Sequence, residues 1–422
     1  MQLRTRSSKH RTSLLAAAAV ILMSSFSGLD SSSLAYADAV KLSREVGVPL
    51  KAATDLAQAG DNKGALAKLD AATAASKTAE EKYHIGTVRR YVYASSKSYA
   101  QLAPVLEDLI ASGLMPSADV KIARRELVQV YDRAGSPLKA ITAAKNYVST
   151  YGHEPELTIY VASNALEAKD YKTASEWADK AIKGELAASR TPPETWYRVR
   201  MKAAYESKDM PAYYDSLESA VKVYPNETYW RALVSKARTQ PDYSAERLEL
   251  DEYRLLQATG IKLKTEEKLN MAEAAFEREL SGEALAILQP MEQSGELKAD
   301  ATKAARNLRL LAKAKTETEA DRAALSTIVG EATRKGDALA LANVAELSLS
   351  LGDAKGAAKL YTEALTKTGM DAATINTVKL HLGIAQYRSG DVAGAKKTWA
   401  GLKGTDGAPD LAKTWQLVAA KS

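Results

Sequence analysis

The sequence predicts an all-α protein, a right-handed α-solenoid (a superhelix of helix-turn-helix repeats). Three observations predict it. LGDAKGAAKLYTEAL at Leu351–Leu365 pairs a turn signal with a helical pattern, and a near-copy, SGDVAGAKKTWAGL, returns at Ser389–Leu402. After each turn, selected side chains recur at steps of four and three residues, which places them on one helix face. No stretch alternates with period two over a useful length, so no strands are expected.

Length and composition agree. A chain of 422 residues exceeds one ordinary core, but a repeat array escapes that limit because each unit packs only on its neighbours. Alanine is abundant and there are only two Phe against twenty Tyr. An Ala-rich, Phe-poor core suits closely approaching helices, with Tyr supplying the aromatic bulk.

The first 37 residues read as a signal peptide. Arg4, Arg6, Lys9 and Arg11 form a basic region, Leu14–Met23 is a short apolar run, and Ala35–Ala37 reads AYA. Cleavage is expected after Ala37, leaving a periplasmic or extracellular chain; a membrane attachment is expected only if the segment stays uncleaved. The segment carries four basic groups and one acid, Asp30, so its loss lowers the formal charge from +6 to +3. That balance makes no strong case for nucleic acid. The absence of Cys excludes disulfides, thiolate metal sites and an acylated anchor.

The repeat runs along the chain in one register. Gly352 and Gly390 are followed at five residues by Ala357 and Ala395, then at four more by Tyr361 and Trp399. Upstream, Gly60-Asp61 leads to Ala65, Leu69 and Ala72, and Gly135 to Ala140, Ala144 and Tyr147. Asp170-Tyr171 leads to Ala174, Ala178 and Ala181, and the region of Tyr99 gives Leu102, Leu106 and Leu109. The small positions 65, 102, 140, 174 and 212 are 37, 38, 34 and 38 residues apart. Leu127 and Tyr131, and Leu382-Gly383, mark the preceding helices; Trp196 marks another helix start. Pro192 or Pro193, and Pro225, fit helix starts, and Thr265 fits a cap before Glu266 and Glu267. Arg238–Leu263 is the poorest stretch. The expected organisation is therefore an N-terminal solenoid over 38–238, a joint over 239–265 and a C-terminal solenoid over 266–422.

A helix-turn-helix period near 34 residues, with an aromatic near the start, Leu-Gly mid-helix, Gly-Asp-Tyr at the turn and Ala, aromatic, Ala on the second helix, resembles the tetratricopeptide repeat (TPR) family. The match is specific over 338–402 and 155–181, looser over 46–72 and 121–147, and degenerate over 225–330. Weak units included, about nine or ten helix pairs are expected. The later part is also similar to exported TPR proteins of Gram-negative bacteria. The resemblance implies that the first helix of each unit lines a concave face holding a protein segment. Counted from the turns, the inner positions it implies are Ile122, Arg125, Gln129, Asp132 and Arg133; Tyr197, Met201 and Tyr205; Leu339, Glu346 and Leu349; and Thr377, Leu380, Ile384 and Arg388.

Sharper chemistry finds little support. Ser136–Lys139 (SPLK), Tyr224–Asn226 (YPN) and Lys367–Gly369 (KTG) match the order of elements in penicillin-binding enzymes, but the first and third fall at repeat turns and helix ends. His84, His153 and His381 show no ligand spacing, and there is no Gly-rich phosphate loop. No catalytic residue, metal or cofactor is expected. Charge runs such as Lys315–Arg322 read as solvated helix faces. The expectation is a non-enzymatic periplasmic scaffold that binds an envelope protein through a peptide or helical segment. The alternative is a carbohydrate-binding superhelix for polysaccharide export or cell-wall maintenance, in which the aromatic clusters at Trp196, Tyr213 and Tyr229 would stack a glycan.

Overall fold

The computed structural model describes residues 42–420. The expected signal peptide and its cleavage point after Ala37 lie outside these described residues. Among them are 20 α-helices and no strand, so the fold is an all-α solenoid. The boundary between two compact units falls between Ser216 and Leu217.

In the N-terminal unit, consecutive antiparallel helices pair as hairpins: α1 (Arg44–Gln58) with α2 (Asn62–Ala75), α3 (Ala79–Ser95) with α4 (Tyr99–Ala111), α5 (Ser117–Arg133) with α6 (Pro137–Tyr151), and α7 (Pro155–Glu167) with α8 (Tyr171–Ala187). Next come α9 (Glu194–Glu206) and α10 (Met210–Val223), the helix inside which the unit boundary falls.

Local chemistry fixes each turn. The residue closing a first helix has positive φ, as at Gly60, Gly135, Lys97, Lys169 and Lys208. An Asp then often caps the second helix: Asp61 accepts from the Gly64 amide at 2.8 Å and Asp170 from the Thr173 amide at 3.2 Å. Such a cap satisfies an orphan amide and contributes about 1 kcal/mol. Residues after the turns then meet the core as the spacing predicts. Ala65, Leu69 and Ala72 of α2 are buried against Val46, Leu50 and Ala53 of α1. Ala140, Ala144 and Tyr147 of α6 join Leu102, Leu106 and Val128 in the next cluster.

The C-terminal unit follows with α11 (Glu227–Ser235), a 3-10 turn (Lys236–Thr239), α12 (Ala245–Ala258), α13 (Thr265–Glu277) and α14 (Ser281–Gln293). A 32-residue helix, α15 (Ala304–Lys335), replaces the hairpin expected in the degenerate region. The charge run Lys315–Arg322 lies on it; Thr318 is buried, and Asp321 accepts from the Ser281 hydroxyl at 2.5 Å. The two quoted repeats are the hairpins α16 (Ala338–Ser350) with α17 (Ala354–Ala364) and α18 (Ala372–Arg388) with α19 (Val392–Ala400). Ala357, Tyr361, Ala395 and Trp399 are all buried, as their spacing requires. Gly383 lets α18 approach α19 closely, because a Cβ there would collide with the Trp399 ring. The Trp399 indole donates to the Leu380 carbonyl at 3.1 Å.

Two features depart from the sequence reading. The stretch expected as a joint, 239–265, contains α12, and Leu248, Asp251, Arg254 and Leu255 of this helix are buried. It is part of the unit's interior. The last helix, α20 (Ala408–Ala419), returns to pack on α11, the 3-10 turn and α12, where an open array would leave its end free. The Thr405 carbonyl accepts from the Asp242 amide at 3.1 Å, Arg247 donates to the Asp406 carbonyl at 2.8 Å, and Lys236 and Lys413 pair with Asp410 and Glu218 at 2.9 and 2.7 Å. Gly407 has φ +89°, and any side chain there would press on Tyr243, Leu248 and the Ala237 carbonyl at 3.0–3.1 Å.

Candidate binding faces

In the N-terminal unit, the first helices α5 and α9 carry the positions implied by the repeat register. Several of them join helices to one another. Arg125 bridges from α5 to Glu154 and Glu156 at 3.3 and 2.6 Å. Asp132 accepts from the Tyr160 hydroxyl of α7 at 2.7 Å; burial and this carboxylate push the phenol pKa well above its ordinary value. Arg133 donates to the Tyr99 hydroxyl at 2.9 Å and lies over that ring, 5.4 Å from its centroid. Gln129, Tyr197 and Met201 are buried. Ile122 and Tyr205 remain open, at 57% and 61% exposure, and Arg133 is exposed beside its tyrosine. The face therefore presents apolar, aromatic and cationic groups on a framework cross-linked by charge.

The equivalent positions of the C-terminal unit are arranged differently. Leu349, Thr377, Leu380 and Ile384 are buried and serve packing. Leu339 and Arg388 are exposed. Glu346 faces α12, which brings its own charged residues against α14, α16 and α18. Arg254, fully buried, grips Glu283 with two hydrogen bonds of 2.8 and 2.5 Å and reaches Asp251 at 2.8 Å. Its guanidinium also lies 3.5 Å from Glu346, which Arg278 binds at 2.9 Å. The His381 Nε2 lies 2.9 Å from Asp251, and its Nδ1 lies 3.6 Å from Glu346. Two guanidiniums and one imidazole thus meet three carboxylates.

Electrostatics show that the cluster is mutually satisfied. Burial alone would raise the pKa of Asp251, but His381 and Arg254 override it and hold the carboxyl well below its ordinary range. For Glu283, burial is likewise outweighed by Arg254. Burial works against the Arg254 charge, yet Glu283 and Asp251 raise its pKa. Such a network is strongly destabilising to break, because a lone charge would stay buried. Beside it the Tyr361 hydroxyl lacks a hydrogen-bond partner among the described residues, and burial pushes that phenol pKa up.

No protein-family model matches the sequence, and no curated protein matches it. Among solved structures, the chain is similar to the complex of the TPR2AB domain of yeast Sti1 with pHSP90, at 12% identity over 72% of this chain and 100% of that one, with a TM-score of 0.23. It is also similar to yeast Tom70, at 11% identity over 93% and 96% of the two chains, again with a TM-score of 0.23. At these identities and scores the likeness adds nothing to the fold, which rests on the helix pairs themselves.

The remaining sequence candidates take structural places. Ser136 precedes α6, and the Lys139 ammonium lies 5.3 Å from the Tyr131 ring centroid. Lys367–Gly369 forms the turn between α17 and α18, where the penicillin-binding arrangement needs a strand. Trp196, Tyr229 and Trp230 are buried, and Tyr213 is half-buried between Tyr205 and Tyr214, so these rings present little open face for stacking a sugar. His153 lies 3.4 Å from both Glu185 and Thr158, joining α7 to α8. Among the described residues no group of three or more His, Asp or Glu could hold a metal, and no helix is long and apolar enough to cross a membrane.

The sequence reading missed α12. Its signal is present in LELDEYRLL, residues 248–256, where Leu248, Leu255 and Leu256 flank Asp251 and Arg254. Charges three residues apart usually mark a solvated face. Nothing local indicates that Glu283, Glu346 and His381 wait to receive them.

Proposed function

We propose that this chain is a non-enzymatic scaffold of the TPR type that binds protein segments on the first-helix face of its N-terminal unit. It is exported to the periplasm by residues 1–37 and works there in an envelope assembly. The observation that carries the binding assignment is the contrast between the two sets of equivalent positions. In the C-terminal set Glu346 is engaged by α12 and the exposed positions are Leu339 and Arg388, with no aromatic among them, whereas the N-terminal set holds Ile122 and Tyr205 exposed together with Arg133, which is exposed while bound to Tyr99. Aromatic and arginine side chains on a rigid frame are the groups that dominate protein interfaces. The export assignment rests on the basic, apolar and AYA sequence pattern.

A photo-crosslinking residue placed at Ile122, and separately at Tyr205, tests the binding reading in the producing cell. A discrete protein adduct at either site is expected. Absence of an adduct from both sites, with the protein folded, overturns it. Mass analysis of the periplasmic fraction tests export: the mature chain is expected to begin at Asp38.

A further inference from the structure

We propose a second docking site, on the opposite side of α5: the cleft between α4, α5 and α6 receives a protein segment that sets a carboxylate beside a large apolar side chain. The cleft has a volume of about 590 Å³, within the roughly 300–1,000 Å³ of ordinary ligand clefts. Residues 124, 127 and 131 of α5 line it, whereas residues 125, 129 and 132 lie on the other side of the same helix, as 100° per residue requires. The site is therefore distinct from the face assigned above.

Its chemistry is complementary to one class of partner. Leu127 and Ile110 are half-buried in the cleft, and Leu138 stands 73% exposed at its edge, an unusual position for a large apolar side chain. Arg124 enters the cleft with its Nε enclosed and without a hydrogen-bond partner, and it makes no ion pair among the described residues. Glu107, the acid lining the cleft, is already bound by the Tyr131 hydroxyl, and burial followed by that carboxylate raises the phenol pKa. Lys139 adds a second cation over the Tyr131 ring. An Nε–H shut off from solvent without an acceptor is costly, and a carboxylate offers it a charge-assisted hydrogen bond. The apolar lining beside it disfavours a small inorganic anion and suits a Leu- or Phe-like anchor next to the acid.

The test is selection of a phage-displayed random dodecapeptide library on the full chain. Enriched peptides are expected to carry Asp or Glu next to a large apolar residue. Their binding should weaken about tenfold or more in Arg124→Gln, which removes one charged hydrogen-bond donor. Leu138→Ser, a change at an exposed side chain, should weaken it too, and Leu186→Ser, an exposed apolar position of α8 that belongs to neither face, should not. Circular dichroism and the melting temperature confirm that each variant is folded. Failure to enrich any peptide, enriched sequences without acids, or binding indifferent to both Arg124→Gln and Leu138→Ser overturns the proposal.

Discussion

Glu81 shows how a single residue ties two repeats together. Its carboxylate closes the capping box of α3, accepting from the Lys77 and Thr78 amides at 2.7 and 3.2 Å. It also accepts from the hydroxyl and amide of Ser43, ahead of α1, at 2.5 and 3.2 Å. The Lys77 amide and then the Ser43 hydroxyl lower its pKa from the ordinary 4.5 to about 2. A carboxyl depressed in the folded state contributes stability above its unfolded pKa and loses it as pH falls through the folded value. Acid titration of unfolding should therefore show a loss of stability between pH 4.5 and about 2 that is absent in Glu81→Gln. The Gln variant should also be less stable at pH 7. Equal pH profiles for the two proteins would contradict this role. Thr78 and Glu81 are legible in sequence as a capping box, but the Ser43 partner, 38 residues away, is not.

At the scale of elements, α12 separates what patterning reveals from what it conceals. Hairpins with strong turns, such as α16–α17 and α18–α19, follow their sequence register because each turn, cap and small residue acts locally. The α12 sequence is read as a joint, since its charged residues find partners only in α14, α16 and α18. Removing the Arg254 side-chain charge should leave Asp251 and Glu283 buried without their main counter-charge. Arg254→Met is expected to lose about 3–5 kcal/mol of stability in chemical denaturation, whereas a variant that also replaces Asp251 and Glu283 with apolar residues should recover much of it. A loss below 1 kcal/mol would mean that the cluster is effectively solvated. The candidate positions divide in the same way. Ile122, Arg133 and Tyr205 of one unit and Leu339 and Arg388 of the other are exposed, while Leu349 and Ile384 are core because neighbouring helices cover them.

At the scale of the whole molecule, the two units predict different responses to loss of an end. The helices of the N-terminal unit pack on near neighbours along the chain, so terminal loss there should cost roughly one interface, as in a one-dimensional array. The C-terminal unit closes α20 onto α11 and α12, and a truncation ending at Lys403 should expose both. Hydrogen exchange of the truncated protein is expected to accelerate in α11 and α12, more than 140 residues before the cut. Exchange confined to α18 and α19 would show that the closure adds little.

The sequence by itself determined the helical class and, for the hairpins with strong turns, the turn positions, the buried face and the repeat register, because these depend on caps, backbone conformation and spacing over a few residues. Only the tertiary structure decided that α12 lies in the interior, that α20 closes its unit, which register positions face solvent, and that the Arg124 Nε is enclosed in a cleft without a hydrogen-bond partner. Those outcomes depend on groups brought together from distant parts of the chain, and a side chain's charge or polarity does not say whether water or another helix will satisfy it.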